Sequence, residues 1–239
     1  MKLDELSVFF PAYNEAENIE PLIKNALNII PQFAQKFELI VVNDGSVDQT
    51  KSKVLALAKI YPQVRLVNHS TNLGYGAALK SGFKAARYDW VFFTDADLQF
   101  DLQELTNFLP FTQDYQAIIG YRKNRAEGKS RVRNARLFKL YVDILFRVHV
   151  KDNDCAFKLF KTKLVQNLNL EANGAFLSSE LLYKLKKQGV KFKQIAVSHY
   201  PRLRGNPTGA NLKVIIKAGL EAMKLYLSIK LHRLQQHQW

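Results

Sequence analysis

The chain has 239 residues, a formal net charge of +14 and 47% apolar residues, enough for the core of one sizeable α/β domain and too many for a disordered chain. A single cysteine, Cys155, excludes an internal disulfide and fits a reducing compartment. No segment offers the roughly 18–20 uninterrupted apolar residues of a spanning helix: the nearest, Val214 to Leu231, is broken by Lys217, Glu221, Lys224 and Lys230.

The acidic start, "MKLDELSVFFPAYNE", does not read as a signal peptide. "LSVFF" (6–10) predicts a buried strand stopped by Pro11, and Ile19, Leu22, Ile23, Ala26, Leu27 and Ile30 recur at helical spacing after it. "FELIVVNDGS" predicts a second strand running into a turn at Asp44-Gly45-Ser46. Asp48 or Thr50 is placed to cap the next helix, with Val54, Leu57 and Tyr61 on its inner side. "VRLVNH" is a third strand, "NLGYGAALKSGFKAA" a loop entering a helix, and "WVFFTD" a fourth strand. A short helix over 102–109 and a fifth strand, "AIIGYR", complete the front half.

Alternation of this kind predicts an α/β fold with a mostly parallel sheet covered on both faces. Ligands bind such sheets beyond the carboxyl ends of the strands. The clusters "PAYNE", "NDGS", "NLGYG" and "TDADLQ", with Tyr121-Arg122, fall there and are expected to share one rim.

The back half is basic. Arg122, Lys123, Arg125, Lys129, Arg131, Arg133, Arg136 and Lys139 face one acid, Glu127. An apolar helix, a short strand "CAFKLF", an amphipathic helix over 179–187, a loop "SHYPRLRGNPTGAN" and a long C-terminal helix follow. No linker or repeat interrupts the chain, so one domain is expected, with a front half over 6–122 and a basic back half over 123–239.

Asp95 and Asp97 leave the fourth strand two residues apart, and in a continuing strand they and Gln99 share one side. Two like charges so placed suit a hard divalent cation, Mg²⁺ or Mn²⁺, whose open positions take phosphate oxygens. Capping of the next helix by Asp97 and Asp101 is the plainer reading of the same residues.

"VFFPAYNEAENI", "IVVNDGSVDQT", "NLGYGAALKSGF" and "FTDADLQ" occur in that order at strand ends, and together they resemble the nucleotide-sugar domain of family 2 glycosyltransferases, of GT-A fold. "DADLQ", "DNDCAFKLF" and "HYPRLRGNPTGAN" are similar to the dolichol-phosphate mannosyltransferase and polyprenyl-phosphate glycosyltransferase branch. The resemblance implies that Pro11, Ala12, Tyr13 and Glu15 line the base and ribose, and that Asp44 meets the base or ribose edge. It implies Asp95 and Ala96 along the ribose and phosphates, and a metal on Asp97 and Gln99 with Asp95 nearby or shared. Taken singly, Tyr13 is equally a packing residue, Glu15 a helix-start acid and Asp44-Gly45-Ser46 a turn.

A polyprenyl phosphate acceptor is already an anion and needs cations more than a general base. Arg122 is the best-placed candidate. By resemblance Arg131 binds acceptor phosphate, although Ala135 stands where a hydroxyl residue often follows, and Arg202 rides a loop that closes over the site. Asp97, Arg122 and Arg202 are thus the expected catalytic residues. Glu180 matches the carboxylate base of relatives that use hydroxyl acceptors, and more plainly reads as an exposed or capping residue near a helix start.

The expected activity is inverting transfer from a GDP- or UDP-sugar to a polyprenyl phosphate. A saccharide-hydroxyl acceptor is the alternative. Nucleic-acid binding explains the charge but leaves "TDADLQ" unused and has no recognised motif. The C-terminal helix carries lysines around an apolar surface, fitting anionic lipid, its own domain, a homodimer or a membrane partner subunit. A peripheral place on the cytoplasmic membrane face is expected.

Overall fold

Strand β1 (Leu3–Ala12) is the axis of the molecule: from Leu6 onward every residue is buried. The computed structural model describes residues 1–123, 129–205 and 212–236, without the side chains of 129–136, 212–213, 215 and 232–236. Among them, β1, β2 (Ala34–Asp44), β3 (Val64–His69), β4 (Trp90–Thr94), β5 (Ala117–Arg122), β6 (Phe157–Lys161) and β7 (Phe192–Val197) form one sheet in the order β3-β2-β1-β4-β6-β5-β7. Only β6 runs against its neighbours, β4 and β5. It enters from the rim, with Phe157 opposite Thr94, so the expected parallel sheet is interrupted there.

Helices α1 (Ala16–Ile29), α2 (Thr50–Ile60) and α3 (Tyr75–Ala85) make the crossovers of the front half. Each lays a 3.6-period apolar stripe on the sheet, as Ile19, Leu22, Ile23 and Ala26 do for α1. Between α3 and the sheet, Phe9, Phe83 and Phe93 pack with ring centroids 5.1–5.6 Å apart. A second cluster sets Phe92, Phe100 and Phe108 around Phe157. A buried phenylalanine contributes roughly 1.5–3 kcal/mol, so these two groups anchor the sheet from both sides. In the back half, α5 (Thr162–Gln166) packs on β6 and α3, while α4 (Lys129–Phe146), α6 (Leu177–Lys187) and α7 (Leu212–Gln236) meet one another around the Phe146 ring.

Local expectations change in three places. Pro11 does not stop β1, because pairing with β4 has ended at Phe9–Phe93 and the missing N–H falls where β1 has only β2 beside it. The short helix after β4 is two 3₁₀ turns, Leu102–Asn107 and Leu109–Phe111, divided ahead of Pro110. β7 does not show in the sequence pattern, since "FKQIAV" is a half-buried edge strand carrying Lys193 and Gln194.

Candidate active site

The carboxyl end of β1 turns into α1 through Tyr13-Asn14-Glu15. Asn14 takes a left-handed φ of 56°. Its N–H donates to Ser46 Oγ at 2.9 Å and its Oδ1 accepts from Val47 N–H at 2.9 Å. Glu15 N–H donates to Thr50 Oγ1 at 2.9 Å, and Asp48 accepts from Thr50 N–H at 2.9 Å and from Ala16 N–H at 3.1 Å, so Thr50 and Asp48 together tether the start of α2 to this turn. Pro11 and Ala12 are buried beneath the rim, and Tyr13 is half-buried on it. Glu15 is buried. Loss of solvent raises its pKa, against the bonds from Asn18 and Arg202 that lower it.

Asp44 ends β2 and is 3% exposed. One oxygen accepts from Leu73 N–H at 3.0 Å and lies 2.7 Å from His69 Nδ1; the other accepts from Gly74 N–H at 2.9 Å. Asp44 therefore fixes the loop that leads into α3. Gly45 must be glycine: φ is 69°, and a Cβ would lie 2.1 Å from the Thr71 backbone.

At the end of β4 the parity expectation fails. The strand stops at Thr94, and residues 95–99 form a turn in which Leu98 has φ 61°. It is this turn, not a strand face, that brings the two aspartates into mutual range. Tyr75, first in α3, donates its hydroxyl to Asp95 Oδ1 at 2.9 Å. Asp97 Oδ1 accepts from Gln99 N–H at 3.2 Å, whereas Asp101 caps the following turn by accepting from Gln103 N–H at 2.9 Å. Ala96 is buried between them. Gln99 donates its side-chain amide to Tyr200 O at 2.8 Å, leaving Oε1 as the atom it can offer a cation.

Burial, and then repulsion from Asp97, push the Asp95 carboxyl up to about 7 against the opposing effects of Tyr75, Arg122 and Lys158. Two carboxylates in such repulsion form a donor set that a hard cation relieves. Among the described residues no three His, Cys, Asp or Glu side chains form a closed metal cage. Magnesium held by one or two carboxylates and substrate phosphates needs none, so Asp95 and Asp97 fit such an ion.

Arg122, at the end of β5, is gripped by Asp152 through Nε at 2.7 Å and Nη2 at 2.9 Å, a buried fork. Arg202 reaches in from the segment after β7. It donates to both oxygens of Glu15, at 2.6 and 2.8 Å, and lies 3.6 Å from Asp97 Oδ2. Arg204, two residues on, points elsewhere and donates to Glu17 O at 3.0 Å. The side chain of Arg131 lies outside the described residues. Glu180 is not at a helix surface: it is 1% exposed, accepts from Glu171 N–H at 2.9 Å and Ala172 N–H at 2.8 Å, and pairs with Lys184 at 2.7 Å.

Sequence reasoning passed over two residues of the rim. Tyr75 orients Asp95, and the only signal was an aromatic directly after Gly74 in "NLGYG". Lys158 is fully buried in β6, its ammonium donating to the carbonyls of Asn153 and Cys155. A lysine inside an apolar strand was visible in "AFKLF" and is seldom buried without purpose. Cys155, with a thiol pushed up to about 12 by burial, is inert beside it.

Residues 7–168 match the sequence model of Glycosyl transferase family 2. The chain is 30% identical over 208 residues to Glycosyltransferase AglD of Haloferax volcanii, which spans 83% of this chain and 33% of that protein. It is also 30% identical over 208 residues to Dolichyl-phosphate beta-glucosyltransferase ALG5A of Trichomonas vaginalis, over 80% of this chain and 64% of the other. The chain thus spans between a third and two thirds of these two relatives. In fold it is similar to glucosyl-3-phosphoglycerate synthase from Mycobacterium tuberculosis in complex with Mn²⁺ and UDP-glucose, with a TM-score of 0.72 at 19% identity, covering 93% of this chain and 79% of that one.

Proposed function

The chain belongs to glycosyl transferase family 2 and has the GT-A fold, and we propose that it is an inverting transferase that moves a sugar from a GDP- or UDP-sugar to the phosphate of a polyprenyl lipid. Pro11, Ala12, Tyr13 and Glu15 line the base and ribose, and Asp44 acts on that pocket through the Leu73–Gly74 backbone it holds. Asp95 and Asp97, with Oε1 of Gln99, are the residues that would hold Mg²⁺ or Mn²⁺. When bound, that ion offsets charge growing on the departing diphosphate. Arg122, aimed by Asp152, and Arg202 draw the acceptor phosphate toward the sugar, and Arg131 joins them. The phosphate oxygen attacks the anomeric carbon directly, so an α-linked donor gives a β-linked product.

The single observation that favours a phosphate acceptor is the state of Glu180. Both its oxygens are occupied by backbone N–H groups and Lys184 inside the protein, so it is not poised to take a proton from a hydroxyl. The name of the Trichomonas relative supports a lipid phosphate, and the Mn²⁺ and UDP-glucose of the mycobacterial neighbour support a divalent ion with a nucleotide sugar. Among the described residues no helix is long and apolar enough to cross a membrane. The proposed lipid acceptor and the exposed lysines of α7 support a peripheral place on the cytoplasmic membrane face. Incubation with Mn²⁺, labelled GDP- and UDP-sugars and a short polyprenyl phosphate is expected to give a lipid-linked sugar. Absence of that product with every donor overturns the proposal.

A further inference from the structure

Away from the rim, α4, α6 and α7 enclose a groove of about 580 Å³. Ile144, Tyr183 and Tyr226 are among its apolar walls, and Arg147, Lys186 and Lys187 are its cations. None of these residues belongs to the candidate active site. Phe146 forms the junction of the walls, with its ring 5.0 Å from Tyr183 and 6.4 Å from Tyr226. Arg147, Lys186 and Lys187 are exposed, and Lys186 is steadied by the carbonyls of Arg147 and Val148. A cavity of this size with an apolar body and a cationic lip suits an amphiphile that ends in a phosphate.

The groove opens between two helices that each leave one apolar stripe bare. On α4 the stripe is Leu137, Leu140 and Ile144, 57–68% exposed. On α7 it is Ile216, Leu220, Met223, Leu227 and Leu231, at helical spacing and 39–66% exposed. The opposite side of α7, Ala218, Ala222 and Leu225, is buried against the domain, so the stripe faces directly away from it. Lys217, Lys224 and Lys230 flank the stripe and are exposed. Exposed apolar stripes bordered by lysines favour an anionic bilayer over a second copy of a chain that itself carries +14.

We propose that this groove binds an anionic phospholipid of the bilayer, its phosphate at Arg147, Lys186 and Lys187 and its chains among the walls, while the α4 and α7 stripes seat in the same leaflet. This deepens the proposed membrane setting but not the chemistry at the rim, and the two fail separately. Full-length protein floated with phosphatidylcholine vesicles, with and without phosphatidylglycerol, is the test. Binding is expected to the anionic vesicles alone. Arg147→Gln with Lys187→Gln is expected to lower partitioning by about thirtyfold, from about a fivefold loss per cation. Leu140→Ser with Leu227→Ser is expected to abolish it. Both double variants keep wild-type Mn²⁺–nucleotide binding and transfer to a short, detergent-soluble acceptor. Equal binding to neutral vesicles, unchanged binding by the charge variant, or light scattering that shows a dimer dissolved by Leu227→Ser each overturns the site. A wild type that floats as expected yet transfers no sugar overturns the catalytic reading instead.

Discussion

The guanidinium of Arg202 donates to both carboxylate oxygens of Glu15, at 2.6 and 2.8 Å, across 187 residues of chain. Its other terminal nitrogen lies 3.6 Å from Asp97, so one cation is shared between a carboxylate of the proposed nucleotide pocket and one of the proposed metal pair. A divalent ion held by Asp97 would offset the same negative charge, and Arg202 would then be available to phosphate. Arg202→Ala is therefore expected to lower kcat about a hundredfold or more, the scale of removing one charge-stabilising donor. Calorimetric binding of Mn²⁺–nucleoside diphosphate is expected to stay as tight or to tighten. Weaker binding with kcat intact rules out this exchange.

Asp97→Ala is expected to abolish Mn²⁺-dependent nucleotide binding and turnover together while far-UV circular dichroism stays native. The side chain accepts from Gln99 N–H within its own turn and lies 3.6 Å from Arg202, contacts made at the rim rather than in the core. A variant with full activity refutes its place in the metal pair.

The Asp95 carboxyl gives a pH signature in metal-free protein. An aspartate whose pKa rises from the ordinary 3.8 to about 7 on folding keeps its proton longer in the native state than in the unfolded one. Between those values the unfolded chain binds fewer protons, so this group's share of stability falls as pH rises from about 4 to about 7 and stays lost above. Asp95→Asn is expected to flatten that slope and to raise Tm at pH 8 relative to wild type, with denaturant melts across pH as the measurement. Because a cation binds the ionised form, Mn²⁺ affinity of the wild type is expected to climb over the same interval. An unchanged slope in Asp95→Asn removes the carboxyl as its source.

These predictions draw on features that were unequally legible in the sequence. β3 and β5 stand where their apolar runs placed them, Val64–His69 and Ala117–Arg122, because each run is bounded by polar residues that also end the strand. The rim clusters were legible for the same reason. The arrangement of Asp95 and Asp97 was reached by a parity rule that does not apply, since β4 ends one residue earlier and a left-handed Leu98 turns the chain. The Arg202–Glu15 bridge and the Arg122–Asp152 fork are long-range pairings that no local period encodes. Glu180 shows the limit in the other direction: helix position alone suggested a surface, and burial came from the 171–172 loop folding back onto it.

Glu180→Gln separates a structural role from a chemical one. The amide keeps one acceptor but loses the Lys184 pair and turns a donor toward a backbone N–H, a change expected to cost about 2–3 kcal/mol of stability. Turnover per folded molecule with a phosphate acceptor is expected to stay near wild type. Loss of kcat by several orders of magnitude at unchanged Tm would instead mark Glu180 as a base and turn the reading toward hydroxyl acceptors.

The loop after α5 ties α7 to Asp95, and this link carries the last prediction. Glu221 of α7 accepts from Gly174 N–H at 3.0 Å and Asn173 N–H at 3.3 Å. The Asn173 carbonyl accepts from Gly76 N–H at 2.9 Å and Ala77 N–H at 3.2 Å, and Lys80 donates to its side chain at 2.6 Å, so the first turn of α3 is seated on that one residue. The same turn presents Tyr75 to Asp95. There is little slack in the seat: Gly74 has φ 102°, and a Cβ there would lie 2.5 Å from the Asn173 carbonyl. Glu221→Leu removes the acceptor for two N–H groups and is expected to lower both Tm and kcat, although Glu221 touches neither Asp95 nor Asp97 in any hydrogen bond. Glu221→Gln retains a carbonyl oxygen at the same reach and is expected to restore most of kcat. Tyr75→Phe, which cuts the last link alone, is expected to lower kcat and to shift its pH dependence upward, because the hydroxyl bond favours the ionised Asp95. If Glu221→Leu lowers Tm while kcat per folded molecule holds, α7 supports the fold only and the alignment of Asp95 is set within α3 itself.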